Sequence, residues 1–181
     1  MRGDHNVLNV LAAIAIGAAA GFKEDAIRNA ILAFQAVPHR LEFVCEHNGV
    51  QWYNDSIATA PERTIAAIQA FDEPIVLMLG GKDKNLPWDR LAQLVHQRVD
   101  HVIVFGEAAE KILNALGAVT PLNRPYSIVH SENLQMAVQA AQQAAHPGDI
   151  VLLSPGGTSY DEFKDFEERG ERFRLWVQQL Q

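Results

Sequence analysis

The sequence predicts an α/β fold, a mostly parallel sheet with helices on both faces, preceded by a helical pair. Three observations predict it. Short β-prone runs alternate with stretches of helical periodicity, as at residues 75–79, 101–105, 126–129 and 150–153. Their connections are too long for hairpins, which implies right-handed crossovers between parallel strands. One exception, Asn48-Gly49, joins two runs directly and supplies the positive φ angles of a type I′ turn.

Taken in order, residues 6–20 read as a helix stopped by Gly21, with Asn6 as its candidate N-cap. Residues 23–34 read as a second, with Ala26, Ile27, Ala30, Ile31 and Phe34 at helical spacing. Pro38 closes this pair, and a domain boundary is expected near residues 35–39, giving units of 1–37 and 38–181. The hairpin follows, residues 41–47 and 50–53. Then come helix 61–71, strand 75–79, helix 87–97, strand 101–105, helix 108–116, strand 126–129, helix 132–145 and strand 150–153. A last helix is expected from Tyr160, fraying at residues 178–181. The organisation is Rossmann-like.

With 181 residues and 48% hydrophobic content, the chain can bury one substantial core and a fragment of a second. A formal charge of -7 argues against nucleic-acid binding by bulk electrostatics. The single cysteine, Cys45, excludes an internal disulfide, and its apolar strand makes it a packing residue. The longest apolar stretch, residues 10–20, is too short for a bilayer, and Met1-Arg2-Gly3-Asp4 does not resemble a signal peptide, so a cytoplasmic location is expected. The seven histidines show no metal-ligand spacing. Phosphate-loop, Gly-x-Ser-x-Gly and Gly-x-Gly-x-x-Gly patterns are all missing from the sequence.

Open parallel sheets bind ligands beyond the carboxyl ends of their strands. Four loops qualify: Asn54-Asp55-Ser56-Ile57-Ala58-Thr59, Gly80-Gly81-Lys82-Asp83-Lys84, Gly106-Glu107, and Ser154-Pro155-Gly156-Gly157-Thr158-Ser159. The last joins an apolar strand to a helix start, which suits a carboxylate or phosphate. Ser159 with Glu162, and Thr59 with Glu62, also fit capping boxes, and Asp55 fits a turn. Lys84 reads equally as a solvated loop lysine and as an anion ligand.

Four motifs, in order and spacing, resemble the Mur ligases of peptidoglycan synthesis. They are Gly3-Asp4-His5-Asn6-Val7-Leu8-Asn9, Pro38-His39-Arg40-Leu41-Glu42, Asn54 to Thr59, and residues 154–173. The last contains a Ser-x-Asp-x-Phe-x-x-Phe-Glu-x-Arg-Gly pattern characteristic of the D-glutamate-adding member. The resemblance implies the C-terminal part of a three-domain enzyme: residues 1–37 closing a central ATP-binding domain, and residues 38–181 forming the C-terminal amino-acid-binding domain. Magnesium ligands and the phosphate loop are then expected upstream. It further implies ATP-dependent amide synthesis on UDP-N-acetylmuramoyl-L-alanine through an acyl phosphate, by a monomer. Asn6, Asn9, Arg40 and Asp55 would bind ATP. Thr59, Lys84, Ser159 and the backbone of Phe166 would bind the carboxylates of D-glutamate.

Two departures carry expectations of their own. Ile57 replaces a lysine common in relatives, and Arg63, one turn beyond Thr59, would compensate. Gly156-Gly157 replaces an alanine-cysteine pair and would loosen that loop. The fragment alone is expected to fold without ligating. A related ligase for another amino acid, and a nucleotide-binding module without chemistry, are the competing readings.

Overall fold

In the computed structural model, which describes residues 4–34 and 37–180, seven helices and six strands follow the expected order. The helical pair is α1 (Asp4–Ala19) and α2 (Glu24–Ala33). Asn6 lies inside α1 and is not its cap, a correction to the expected N-terminus. Gly17 lets the helices approach, since an added Cβ would lie 3.3 Å from Ile27. The expected boundary at residues 35–39 falls partly on Gln35 and Ala36, outside the described residues.

Strand β1 (Glu42–His47) pairs antiparallel with β2 (Val50–Asn54). The turn between them has φ of 51° at Asn48 and 77° at Gly49, as the dipeptide requires. Then follow α3 (Pro61–Ile68), β3 (Ile75–Gly80), α4 (Asp89–Arg98), β4 (His101–Phe105), α5 (Ala109–Leu116), β5 (Ser127–Ser131), α6 (Leu134–Ala144), β6 (Ile150–Gly156) and α7 (Phe166–Gln178). The sheet order is β1-β2-β6-β3-β4-β5, with every pairing after the hairpin parallel.

Alternation along the strands divides the core between the two faces. Tyr53, Leu77, Leu79, Val102, Val104 and Leu152 pack beneath α3, α4 and α5. Trp52, Val76, Met78, Ile103, Val151 and Leu153 pack beneath α6 and α7. Cys45 is half-buried against this second cluster, and burial raises its thiol pKa. Strands β3 and β6 are neighbours whose following helices leave to opposite faces, so their carboxyl ends form the crevice where such folds bind ligands.

Among the described residues, no helix is long and apolar enough to cross a membrane.

Candidate functional site

The loops after β2, β3, β4 and β6 meet at one edge of the sheet. Lys82 and Thr158 exchange backbone hydrogen bonds of 2.8 and 2.9 Å, tying the β3 loop to the β6 loop. Ser154 Oγ donates to Asp55 Oδ2 at 2.8 Å, tying β6 to the β2 loop. Asp161 accepts from the backbone of Glu107 at 3.1 Å and draws in the β4 loop. The glycine pair does not loosen this assembly: an added Cβ at Gly157 would collide with the Gly80 carbonyl, and one at Gly156 would meet the Trp88 ring at 2.9 Å. Close backbone packing is what these glycines permit.

Lys84 Nζ donates to Thr59 Oγ1 at 3.3 Å, bringing an ammonium and a hydroxyl together from loops 25 residues apart. Thr59 is not the N-cap of α3, contrary to the expected capping box. The N-cap of α3 is Ala60, without a side-chain bond, and Pro61 occupies the first turn as expected. Ser159 is buried, and its carbonyl accepts from Glu162 and Phe163 in a turn. No helix starts there, contrary to the expected start at Tyr160. Helix α7 begins at Phe166, capped by Asp165, whose carboxylate accepts from Glu168 N at 2.8 Å. Phe166 thus presents a first-turn N–H with no acceptor within the helix, while its carbonyl accepts from Ser56 Oγ at 2.8 Å.

A cleft of about 250 Å³ opens beside the β2 loop, lined by Arg40, Leu41, Asp55, Ile57, Ala58 and Arg63 among others. Arg40 stands between two residues of positive φ, His39 at 62° and Leu41 at 44°. Such backbone persists only where surroundings hold it. Here Leu41 N donates to Asp55 Oδ1 at 3.2 Å, and His39 N donates to Glu42 Oε2 at 2.7 Å. Burial pushes the Asp55 carboxyl up to about 7, against the bonds from Ser154 and Leu41 and the pull of Arg40 and Arg63. Arg63 donates to the Ile57 carbonyl at 3.3 Å on the wall of this cleft. Asn6 and Asn9 share a side of α1, with Asn9 exposed and Asn6 partly so. No group of three or more His, Cys, Asp or Glu side chains suited to a metal ion occurs among the described residues.

Sequence reasoning missed the residue that holds these loops. Arg169, fully buried, donates from Nε to Ser56 Oγ at 2.9 Å, from Nη2 to Ser56 O at 2.8 Å, and from Nη1 to Gly157 O at 3.1 Å. Burial lowers its pKa to about 10, although Asp161 and Glu162 favour the charge, so it remains cationic at neutral pH. Its signal lay in the spacing Phe166, Arg169, Phe173, Val177, which sets an arginine on the inward stripe of α7. The neighbouring Gly170 is equally constrained, because a Cβ there would collide with His39 Nδ1. Asn54 Nδ2 lies 3.0 Å from that nitrogen and donates to the Gly170 carbonyl at 3.3 Å.

Comparison with known proteins shows the family of the chain and its fold. Residues 39–157 match the family described as Mur ligase, glutamate ligase domain. Curated relatives include the UDP-N-acetylmuramoylalanine--D-glutamate ligases of Koribacter versatilis, 42% identical over 180 residues, and Roseiflexus sp., 46% identical over 182. Those alignments take in 99% and 98% of this chain but 38% of each relative, so the chain spans little more than a third of their length. Two solved structures share the fold: a pseudomurein peptide ligase type C from Methanothermus fervidus and a UDP-N-acetylmuramate-alanine ligase from Thermotoga maritima. The first has a TM-score of 0.71 at 17% identity, covering 99% of this chain and 36% of that one. The second has 0.69 at 19%, covering 99% and 39%. The chain belongs to the Mur ligase, glutamate ligase domain family.

Proposed function

We propose that the chain is the C-terminal part of an ATP-dependent ligase that joins D-glutamate to UDP-N-acetylmuramoyl-L-alanine in the cytoplasm. In this reading the acceptor carboxylate takes the terminal phosphoryl group of ATP, releasing ADP. The D-glutamate amine then attacks the acyl phosphate, and phosphate leaves as the amide forms. Residues 1–37 close the central ATP-binding domain and residues 38–181 form the amino-acid-binding domain. The enzyme acts as a monomer, and its magnesium ligands and phosphate loop stand upstream.

The observation that carries this reading is the Lys84–Thr59 contact at the mouth of the sheet. Together with Ser159 and the first-turn N–H of Phe166, it offers one cation, two hydroxyls and a helix start, a donor set suited to the two carboxylates of D-glutamate. What these residues contribute is positioning and charge stabilisation. Arg40 and Asp55, with Asn6 and Asn9 on α1, hold the nucleotide. Arg63 supplies a further cation in the cleft where Ile57 offers none.

The test is the full-length protein assayed with ATP, UDP-N-acetylmuramoyl-L-alanine and a panel of amino acids. ADP release should depend on D-glutamate, and comparable rates with L-glutamate or a diamino acid would overturn the assignment. Lys84→Ala should raise KM for D-glutamate about 10-fold or more, as loss of one charge-assisted bond implies, with KM for ATP little changed. Arg63→Ala with unaltered kinetics for both ATP and D-glutamate would remove Arg63 from the site.

A further inference from the structure

Lys84 is a long side chain on a loop, so something must fix its origin if it is to meet Thr59. Asp83 and its three partners, Lys111, Asn85 and Trp88, do so. Asp83, immediately before it, accepts from Lys111 Nζ at 2.6 Å and from Asn85 N at 2.9 Å through one carboxylate oxygen. The other oxygen accepts from Trp88 Nε1 at 3.2 Å. The Asp83 side chain is only 17% exposed. Burial works against its charge, but the bonds from Lys111, Trp88 and Asn85 prevail and hold its pKa below the usual carboxylate range.

Each partner anchors the loop to a different part of the fold. Lys111 belongs to α5. Trp88 is buried in the first core cluster, and its six-membered ring lies against Gly156 of the β6 loop. Asn85, with φ of 60°, turns the chain just beyond Lys84. One carboxylate therefore joins α5, the core and the turn, and Lys84 projects between two fixed backbone points. From that frame its ammonium reaches Thr59 Oγ1.

We propose that Asp83, with Lys111 and Trp88, is a positioning group for Lys84: it acts on the amino-acid carboxylate through Lys84 and does not touch the substrate itself. This rests on the reading of Lys84 as a D-glutamate ligand. Charge alone does not explain the arrangement, because Lys111 is spent on Asp83.

A double-mutant cycle in the full-length protein tests it. Asp83→Ala and Lys111→Met should each raise KM for D-glutamate several-fold while leaving KM for ATP within about two-fold, and Lys111→Arg should restore most of the loss. Trp88→Phe, which keeps the ring against Gly156 and removes only the N–H, should show a smaller rise of the same kind. In a Lys84→Ala background, Asp83→Ala should add nothing, since the two residues act as a unit. Additive losses, or folded single variants with unchanged KM, would overturn the proposal. Should Lys84→Ala itself leave KM unchanged, the D-glutamate reading of the site fails on its own. The positioning claim is then decided by a crystal structure of Asp83→Ala: Lys84 Nζ displaced from Thr59 supports it, and the contact retained overturns it.

Discussion

Arg169 shows how one buried cation can organise a site it does not enter. Its donors meet a hydroxyl and two carbonyls, with no carboxylate within ion-pair distance among the described residues, so neutral oxygens share the work of replacing water. Arg169→Met would leave Ser56 and Gly157 without those donors in a dry interior. A loss of about 2–4 kcal/mol is expected, read as a lower denaturant midpoint at unchanged slope. Asp55 predicts a pH dependence of stability. Its carboxyl rises from the ordinary 3.8 to about 7 in the fold, so between those values the folded state holds a proton that the unfolded chain has released. Stability from this group is therefore full below pH 3.8 and declines as pH rises towards 7. Asp55→Asn keeps a polar side chain of the same shape and removes the proton. Its thermal midpoint should gain on the parent's as pH rises from 4 to 8, and a constant difference across that range would show that Asp55 does not titrate as described.

At the scale of elements, strands and their order were legible because alternation and apolar runs carry them, and Asn48-Gly49 fixed the hairpin. The start of α7 was not. Residues 160–165 contain helix-tolerant side chains with no breaker, and two capping boxes compete, Ser159 with Glu162 and Asp165 with Glu168. The second prevails because Ser159 is buried against the sheet edge and its carbonyl closes a turn, while Lys164 N donates to Glu168 at 2.9 Å as the box continues. The site was legible as four loops at one edge, since parallel strands bring them there. The Asp83 and Arg169 networks were not, because they join residues 28 and 113 positions apart through side chains that local patterns do not reveal. This relocation of the cap has a measurable consequence. Asp165→Ala should cost about 1 kcal/mol of stability, as loss of an N-cap does. Thr59→Ala, with no cap to lose, should change stability by less than about 0.5 kcal/mol in the absence of ligand. Equal losses would mean that Thr59 caps α3 after all.

At the scale of the whole molecule, the helical pair and the sheet domain differ in how they meet water. The sheet buries its apolar residues in two clusters of its own. Helices α1 and α2 leave Val7, Leu8, Leu11, Ile16 and Leu32 more than half exposed, and Phe22 between them is 66% exposed. Ten residues of α2 contribute none to a buried core. Exposed apolar surface of that extent suits an interface, and in the function proposed above residues 1–37 complete a domain whose remainder lies upstream. The sheet domain has no need of the pair for its core. Chain truncated to residues 38–181 should therefore keep its unfolding free energy within about 0.5 kcal/mol of the 181-residue chain, and should bind less of a hydrophobic dye. Neither form should release ADP from ATP in the presence of D-glutamate and UDP-N-acetylmuramoyl-L-alanine, since neither contains a phosphate loop. A large loss of stability on truncation would show that the pair is part of the sheet domain's fold. ATP-dependent ligation by either form would show that the chemistry is complete within these residues.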